Sequence, residues 1–385
     1  MHMTVTHPRG FVAAGITAGL KASGKKDVAL VVNDGPLQSA AGVFTTNRFK
    51  AAPVLWSQQV LVGGALRAVV LNSGGANACT GPEGFQDTHA TAEHVADLLG
   101  CGAGEVAVCS TGLIGVRLPM DRLLPGVDDA QASLAFEGGR DAATAIMTTD
   151  SVSKQAVAPG DGFTVGGMAK GAGMLAPGLA TMLAVLTTDA VATAAELDGA
   201  LRTATRVTFD RVDSDGCMST NDSVLLLASG ASGVTPGPGV LAAAVREACT
   251  DLALQLVRDA EGASKDIRID VTSAASEADA VAAARSVARS NLFKCAIHGE
   301  DANWGRVLSA IGTTDAAFEP DQVSVSINGV KVCVGGALGE DRGLIDLSAR
   351  EVVVAVDLGA GAEQASIWTN DLTADYVHEN SAYST

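Results

Sequence analysis

The chain is short of aromatic residues, of basic residues relative to acids, of long apolar runs and of paired cysteines. Each shortage removes a class of protein. Phe, Trp and Tyr make up 4% of the 385 residues, so the core must be built from Ala, Val, Leu and Gly. Lys and Arg number 26 against 43 Asp and Glu, a net charge of −17. Nucleic acid and anionic membrane both call for clustered cations, so neither is expected as a partner. No apolar stretch approaches the roughly 20 residues of a membrane span. The segment from Phe11 to Leu20 is mildly apolar but follows one Arg and lacks a signal-type cleavage site. A cytoplasmic protein is therefore expected.

Other absences narrow the chemistry. The seven cysteines are odd in number and none is spaced C-x-x-C, so neither a disulfide framework nor a zinc site is expected. Among the six histidines there is no H-E-x-x-H, and His89 and His94 fall on an amphipathic helix that ends at Gly100. No metal is expected. Ser23-Gly24-Lys25-Lys26 lacks the Ser or Thr that completes a phosphate loop, and no G-x-G-x-x-G follows a strand. No Arg or Gln is followed three residues later by Gly, as the common coenzyme-A acetyltransferases require. G-x-S-x-G is absent as well, which removes the usual serine hydrolases. No bound cofactor is expected.

What remains is a chain long enough for two or three structural units with a large core. Strand-like runs occupy 28–32, 43–46, 68–71, 106–109, 181–186, 224–227, 267–271, 323–327, 330–334, 352–356 and 365–368. Helical patterns cover 88–99, 194–205, 240–260 and 278–290, the second opened by the capping box Thr193-Ala-Ala-Glu196. Strands and helices do not alternate strictly, and adjacent strands pair like hairpins, so the class is α+β. The polar Gly-Pro stretch 229–239 reads as an exposed connection, and a smaller C-terminal unit begins near Glu261.

Three segments carry chemistry. In the first, a nearly uncharged stretch with Gly171, Gly173, Gly178 and Pro177 runs into Thr181 ahead of an apolar strand. A chain cut between Ala180 and Thr181 would leave a threonine hydroxyl beside its own α-amine, a nucleophile and base in one residue. The alternative is a loop before a buried strand. In the second, the strand ending at Cys109-Ser110-Thr111-Gly112 turns at a glycine, which exposes N–H groups able to receive an oxyanion; a plain strand-ending turn is the competing reading. The third, Asp210-Arg-Val-Asp213-Ser-Asp215-Gly, has acids spaced as in a calcium loop. Counted from Asp210, Asp215 stands sixth and Asn221 twelfth, where an EF-hand needs Gly and Glu, so a polar hairpin lining a small-molecule pocket is expected there.

Taken together and in order, these segments resemble the ornithine acetyltransferase/glutamate N-acetyltransferases of the cyclic arginine pathway. The matching stretches include Lys50-Ala-Ala-Pro-Val54, Asn72-Ser-Gly-Gly-Ala-Asn-Ala-Cys-Thr-Gly81, Ser110-Thr-Gly-Leu-Ile-Gly115 and Ile146-Met-Thr-Thr-Asp150. Further on come Lys170-Gly-Ala-Gly-Met174, Ala180-Thr-Met-Leu183, Ser219-Thr-Asn-Asp222, Ala260-Glu-Gly262, Asn303-Trp-Gly-Arg306 and Glu379-Asn-Ser-Ala-Tyr383. One departure is Gly75, where the family's Asn-Ser-Gly stretch often continues with Asn.

The resemblance implies a four-layer α/β/β/α architecture like that of N-terminal-nucleophile enzymes, with a smaller C-terminal α/β unit. It implies self-cleavage into an α chain (1–180) and a β chain (181–385), assembled as (αβ)₂. Thr181 takes the acetyl group of N-acetylornithine and passes it to glutamate in ping-pong fashion, with Thr111 and Gly112 as oxyanion hole. Substrate contacts fall on Thr148, Lys170, Thr181, Glu261, Asn380 and the C-terminal Thr385. Lys170 is chemically suited to a substrate carboxylate and Glu261 to the ornithine ammonium. A β-branched residue at Gly112 is expected to slow acetylation with the fold intact. Whether acetyl-CoA is a second donor divides the family, and the sequence does not choose. Two rival readings remain: an N-terminal-nucleophile amidase, esterase or aminopeptidase of similar architecture, and an uncut binding paralogue.

Overall fold

The structure is a computed structural model that describes residues 4–176 and 182–382. Two compact units emerge. The first holds the chain to Asp210 together with Cys217–Asp259, and the second holds Arg211–Gly216 and the chain from Ala260.

The first unit contains strands β1 (Phe11–Ile16), β2 (Val28–Asn33), β3 (Ser39–Phe44), β4 (Ala68–Ser73) and β5 (Val106–Thr111). It continues with β6 (Lys154–Pro159), β7 (Thr164–Lys170), β8 (Leu183–Thr188) and β9 (Ser223–Ala228). Its helices are α1 (Ala52–Val60), α2 (Gly81–Leu99), α3 (Met120–Ala132), α4 (Gly139–Ala145), α5 (Ala194–Val207) and α6 (Val240–Arg258). One sheet runs β1-β2-β4-β5 and the other β3-β9-β8-β7-β6. Every residue of β2, β4, β5, β8 and β9 is buried. A strand buried on both faces needs a layer on each side. Those layers are the other sheet on one face and helices on the other. Leu30 and Val70 of the first sheet share a core with Met168, Val185 and Leu225 of the second. Helices α1 to α4 pack on the first sheet, α5 and α6 on the second. The arrangement is the four-layer α/β/β/α architecture.

The second unit is a six-stranded mixed sheet carrying helices. In chain order it comprises β10 (Asp266–Ala274), α7 (Glu277–Ala288), α8 (Asn291–His298), α9 (Trp304–Ile311), β11 (Ser324–Ile327), β12 (Val330–Val334), β13 (Ala337–Leu338), β14 (Glu351–Asp357), β15 (Glu363–Asn370) and α10 (Ala374–Ala382). Its central pairing is parallel, Ile267 opposite Val352, and alternate residues of β10 and β14 face a core shared with α7 and α9.

Several sequence expectations need correction. The strand expected at 43–46 is Ser39–Phe44, and β1, β6 and β7 were not anticipated. Glycine concealed β7: a Cβ on Gly166 would stand 2.5 Å from the Thr4 carbonyl oxygen, so this strand needs glycine for close approach. Helix α2 starts at Gly81, seven residues before the expected Thr88, with proline in its first turn. The segment 210–222 is not a hairpin; it holds a short 3₁₀ turn at Phe209–Arg211 and an isolated parallel bridge from Val212 to Trp368. The capping box is present, with Glu196 N–H donating to Thr193 Oγ1 at 3.3 Å and Thr193 N–H to Glu196 Oε2 at 2.8 Å. Among the described residues no helix is long and apolar enough to cross a membrane.

Candidate functional site

Strand β5 ends in a corner that only glycine can turn. Gly112 has φ +128°, and a Cβ there would lie 2.6 Å from Gly75 N and 2.7 Å from Gly74 C, both backbone atoms. The two turns are stitched together, since Gly74 N–H donates to Thr111 O at 3.0 Å and Ala76 N–H to Leu113 O at 2.9 Å. Buried asparagines brace them from behind. Asn221 Nδ2 donates to Ala76 O at 2.6 Å and to Ser110 O at 2.8 Å. Asn72 Nδ2 donates to Gly75 O at 3.0 Å while its Oδ1 accepts from Ser110 Oγ at 2.6 Å. Gly75 suits its place, because a Cβ would come within 2.8 Å of Leu118 Cδ2. Sequence reasoning assigned Asn72 and Asn221 no role. For Asn72, an amide inside an apolar strand was the available signal, because buried polar groups must find partners.

Lys170, the last residue of β7, reaches this corner. Its side chain is buried and Nζ donates to Thr111 Oγ1 at 3.2 Å. Beside it sits Asp150, which gathers the surrounding backbone. It accepts from Gly171 N–H at 2.7 Å, from Thr148 N–H at 2.9 Å and from Lys154 Nζ at 2.7 Å. Lys154 is wholly buried and also donates to Asp259 Oδ2 at 2.5 Å. Burial alone would push the Asp150 carboxyl up, but the Lys170 and Lys154 ammonium groups and the Thr148 amide outweigh it and hold the group at about 2. Lys170 is thus hydrogen-bonded to Thr111, while Asp150 ties Thr148 to Gly171, the residue that follows Lys170. Asp150 lies in the Ile146–Asp150 stretch singled out from sequence but was given no role of its own, and Lys154 was not singled out at all.

The strand that follows position 181 is fixed by a second acid. Met182 N–H donates to Asp222 Oδ1 at 3.0 Å where β8 runs parallel to β9, Leu183 opposite Ser223. Asp222 is fully buried, and burial raises its carboxyl well above the usual range despite hydrogen bonds from Met182 and Ser219 and the charge of Lys170. The expected cut between Ala180 and Thr181, the nucleophile Thr181 and the substrate contact Thr385 lie outside the described residues.

Glu261 and Asn380 belong to the second unit, and there they meet: Asn380 Nδ2 donates to Glu261 Oε2 at 2.9 Å. The contact follows from local packing. Gly262 has φ +61°, and a Cβ would lie 2.2 Å from Tyr376 N, so α10 sits directly on this glycine. Thr373 ties the same corner, donating to Gly262 O at 2.6 Å and accepting from Tyr376 N–H at 2.9 Å. The neighbourhood is acidic. Burial, then the charges of Glu261 and Asp375, push the Glu379 carboxyl upward. A surface of this sign favours an ammonium group. Glu261 also lines a cavity of about 200 Å³ whose wall includes Asp215, Arg289, Lys294 and Tyr376. The expected pocket-lining role of the 210–222 segment is met by Ser214, Asp215 and Gly216, though not as a hairpin. Among the described residues no cluster of three or more His, Cys, Asp or Glu could hold a metal ion.

Comparison with known proteins extends over the whole chain. A model of the ArgJ family matches residues 12–385. The arginine biosynthesis bifunctional protein ArgJ of Streptomyces coelicolor is 71% identical over 99% of this chain and 100% of its own length. The protein of the same name from Thermobifida fusca is 63% identical, with 100% of both chains covered. Among solved structures, the ornithine acetyltransferase of Mycobacterium tuberculosis complexed with ornithine is 58% identical across 47% of this chain and 96% of that chain, with a TM-score of 0.43.

Proposed function

The chain belongs to the ArgJ family, and from that premise we infer that it transfers the acetyl group of N-acetylornithine to glutamate, regenerating N-acetylglutamate for arginine biosynthesis. The observation that carries the assignment to this region is the Thr111–Gly112 corner, closed on Gly74 and Gly75 by backbone contact and touched by Lys170.

In the proposed reaction the chain cuts itself between Ala180 and Thr181. Thr181 then becomes the first residue of the β chain, and its free α-amine, with an ordinary pKa of about 7.7–8.0, serves as base. The threonine oxygen attacks the acetyl carbonyl of N-acetylornithine. Charge that develops on the carbonyl oxygen is received at Thr111 and the Gly112 backbone, donors already in place before the reaction. Collapse breaks the amide bond, the departing nitrogen takes a proton, ornithine leaves, and an acetyl-threonine ester remains. The α-amine of glutamate then attacks the ester and regenerates Thr181, which makes the kinetics ping-pong.

Substrate roles follow from charge. Lys170 pairs with the α-carboxylate, Thr148 lies beside it on the Asp150 cluster, and Glu261 with Asn380 takes the ornithine ammonium. Thr385 completes the proposed set of contacts. The two chains, 1–180 and 181–385, assemble as (αβ)₂ in the cytoplasm, without a bound cofactor or metal. Acetyl-CoA is proposed as an additional donor.

Two assays on purified protein test the reading. Denaturing electrophoresis should resolve two chains in place of one. Glutamate should be acetylated from N-acetylornithine and, in a parallel reaction, from acetyl-CoA. A single intact band in a fully active preparation would overturn the self-cleaving mechanism.

A further inference from the structure

An enzyme that accepts ornithine and glutamate in turn must hold two side chains of opposite charge. The cavity of the second unit is equipped for both. Its wall carries carboxylates at Glu261 and Asp215 and cations at Arg289 and Lys294. The two cations are not equivalent. Lys294 is buried and donates to the Ser214 carbonyl, and burial lowers its pKa, so its ammonium is engaged in holding the wall. Arg289 is half exposed and is anchored at one edge only, with Nε donating to Asp213 Oδ2 at 2.8 Å. Asp213 itself has no solvent exposure and is also paired with Arg285 Nε at 3.5 Å, so it fixes the plane of the guanidinium. Among the described residues the two terminal amino groups of Arg289 have no protein partner. A guanidinium held through Nε presents those two groups as a fork matched to a carboxylate.

We propose that Arg289 reads the side-chain carboxylate of the acceptor glutamate, in the same cavity where Glu261 reads the side-chain ammonium of ornithine. The proposal rests on the acetyl-transfer function inferred above and adds the residue by which one pocket serves both substrates. Asp213 is the positioning residue that orients the fork.

The test compares two reactions of the full-length enzyme. One is acetylation of glutamate from N-acetylornithine. The other is exchange of label between ornithine and N-acetylornithine, which requires no glutamate. In Arg289→Gln, loss of a charge-assisted contact should raise the KM for glutamate about tenfold or more relative to that for ornithine, with kcat at saturating glutamate moved far less. Arg289→Lys, which restores the charge without the fork, should recover part of the loss. Glu261→Gln should show the opposite preference, weakening ornithine more than glutamate. Equal changes in both KM values for Arg289→Gln, or no change in that for glutamate, would refute the assignment. If wild-type enzyme shows no ornithine exchange, the acetyl-transfer reading fails instead, so the two failures are distinguishable.

Discussion

Lys170 Nζ donates to Thr111 Oγ1 across 3.2 Å, which joins the end of β7 to the end of β5. Both residues are buried, so the hydroxyl is held in one orientation by a charged donor and its own proton is free to point elsewhere. That is the arrangement required of an oxyanion donor. Thr111→Val keeps the shape and removes the hydroxyl. It should lower the acetylation rate about 10²-fold to 10³-fold, the usual cost of one oxyanion-hole donor. Single-turnover measurement with N-acetylornithine checks this. A variant that acetylates at the wild-type rate would remove Thr111 from the hole.

Gly112 makes a different prediction from the one its sequence context supports. A β-branched residue at this corner is expected from sequence to slow the chemistry with the fold intact. The structure argues otherwise. At φ +128° an L side chain is strained, and the atoms 2.6–2.7 Å from its Cβ are backbone rather than a flexible side chain. Gly112→Val should therefore cost about 2–4 kcal/mol of stability as well as activity. Urea unfolding monitored by circular dichroism measures the first effect, and unchanged stability would contradict the packing.

How much of this was legible beforehand depends on which physical signal each residue emits. Continuous apolar runs announced β2, β4, β5 and β9, and a capping box announced α5. Strand β7 was hidden because Gly166 and Gly167 look like loop residues when their purpose is close approach. The structure brings Lys170 against Thr111 and sets Thr148 and Gly171 on Asp150, a residue to which the sequence assigns no role of its own. Asp150 acquires its meaning from Lys154, Gly171 and the lysine of a later strand. Likewise, nothing local in the sequence foretells that Asn221 will bridge Ala76 and Ser110. Contacts between distant segments are set by the packing of layers, which periodicity does not encode.

Position 181 yields the most direct experiment. The peptide nitrogen that follows it is held by Asp222 at 3.0 Å, so the strand after the proposed cut is anchored independently of the cut itself. Thr181→Ala should fold with its β8 pairing intact, migrate as one uncut chain, and show no acetyl transfer. Mass spectrometry of the purified variant reads the cleavage, and normal turnover by the variant would refute the nucleophile.

Asp150 should leave a signature in the acid unfolding of the protein. Its carboxyl ionises at about 2 in the folded chain, below its ordinary value of 3.8, because Lys170 and Lys154 outweigh the effect of burial. A group whose folded pKa is depressed contributes stability that is complete above its unfolded pKa and is lost as pH falls through the folded one. For Asp150 that window runs from about 4 down to about 2. The drop corresponds to about 2 kcal/mol. Asp150→Asn should be less stable than wild type by at least about that amount at pH 7, since Lys154 and Lys170 lose part of their buried counter-charge. The gap should narrow as pH falls from 4 toward 2, where wild-type Asp150 itself becomes protonated. Chemical unfolding at pH 7, 4 and 3 measures the gap. A difference that stays constant across the three would mean that the carboxylate charge is not what Asp150 contributes, and that its hydrogen bonds to Thr148 and Gly171 suffice.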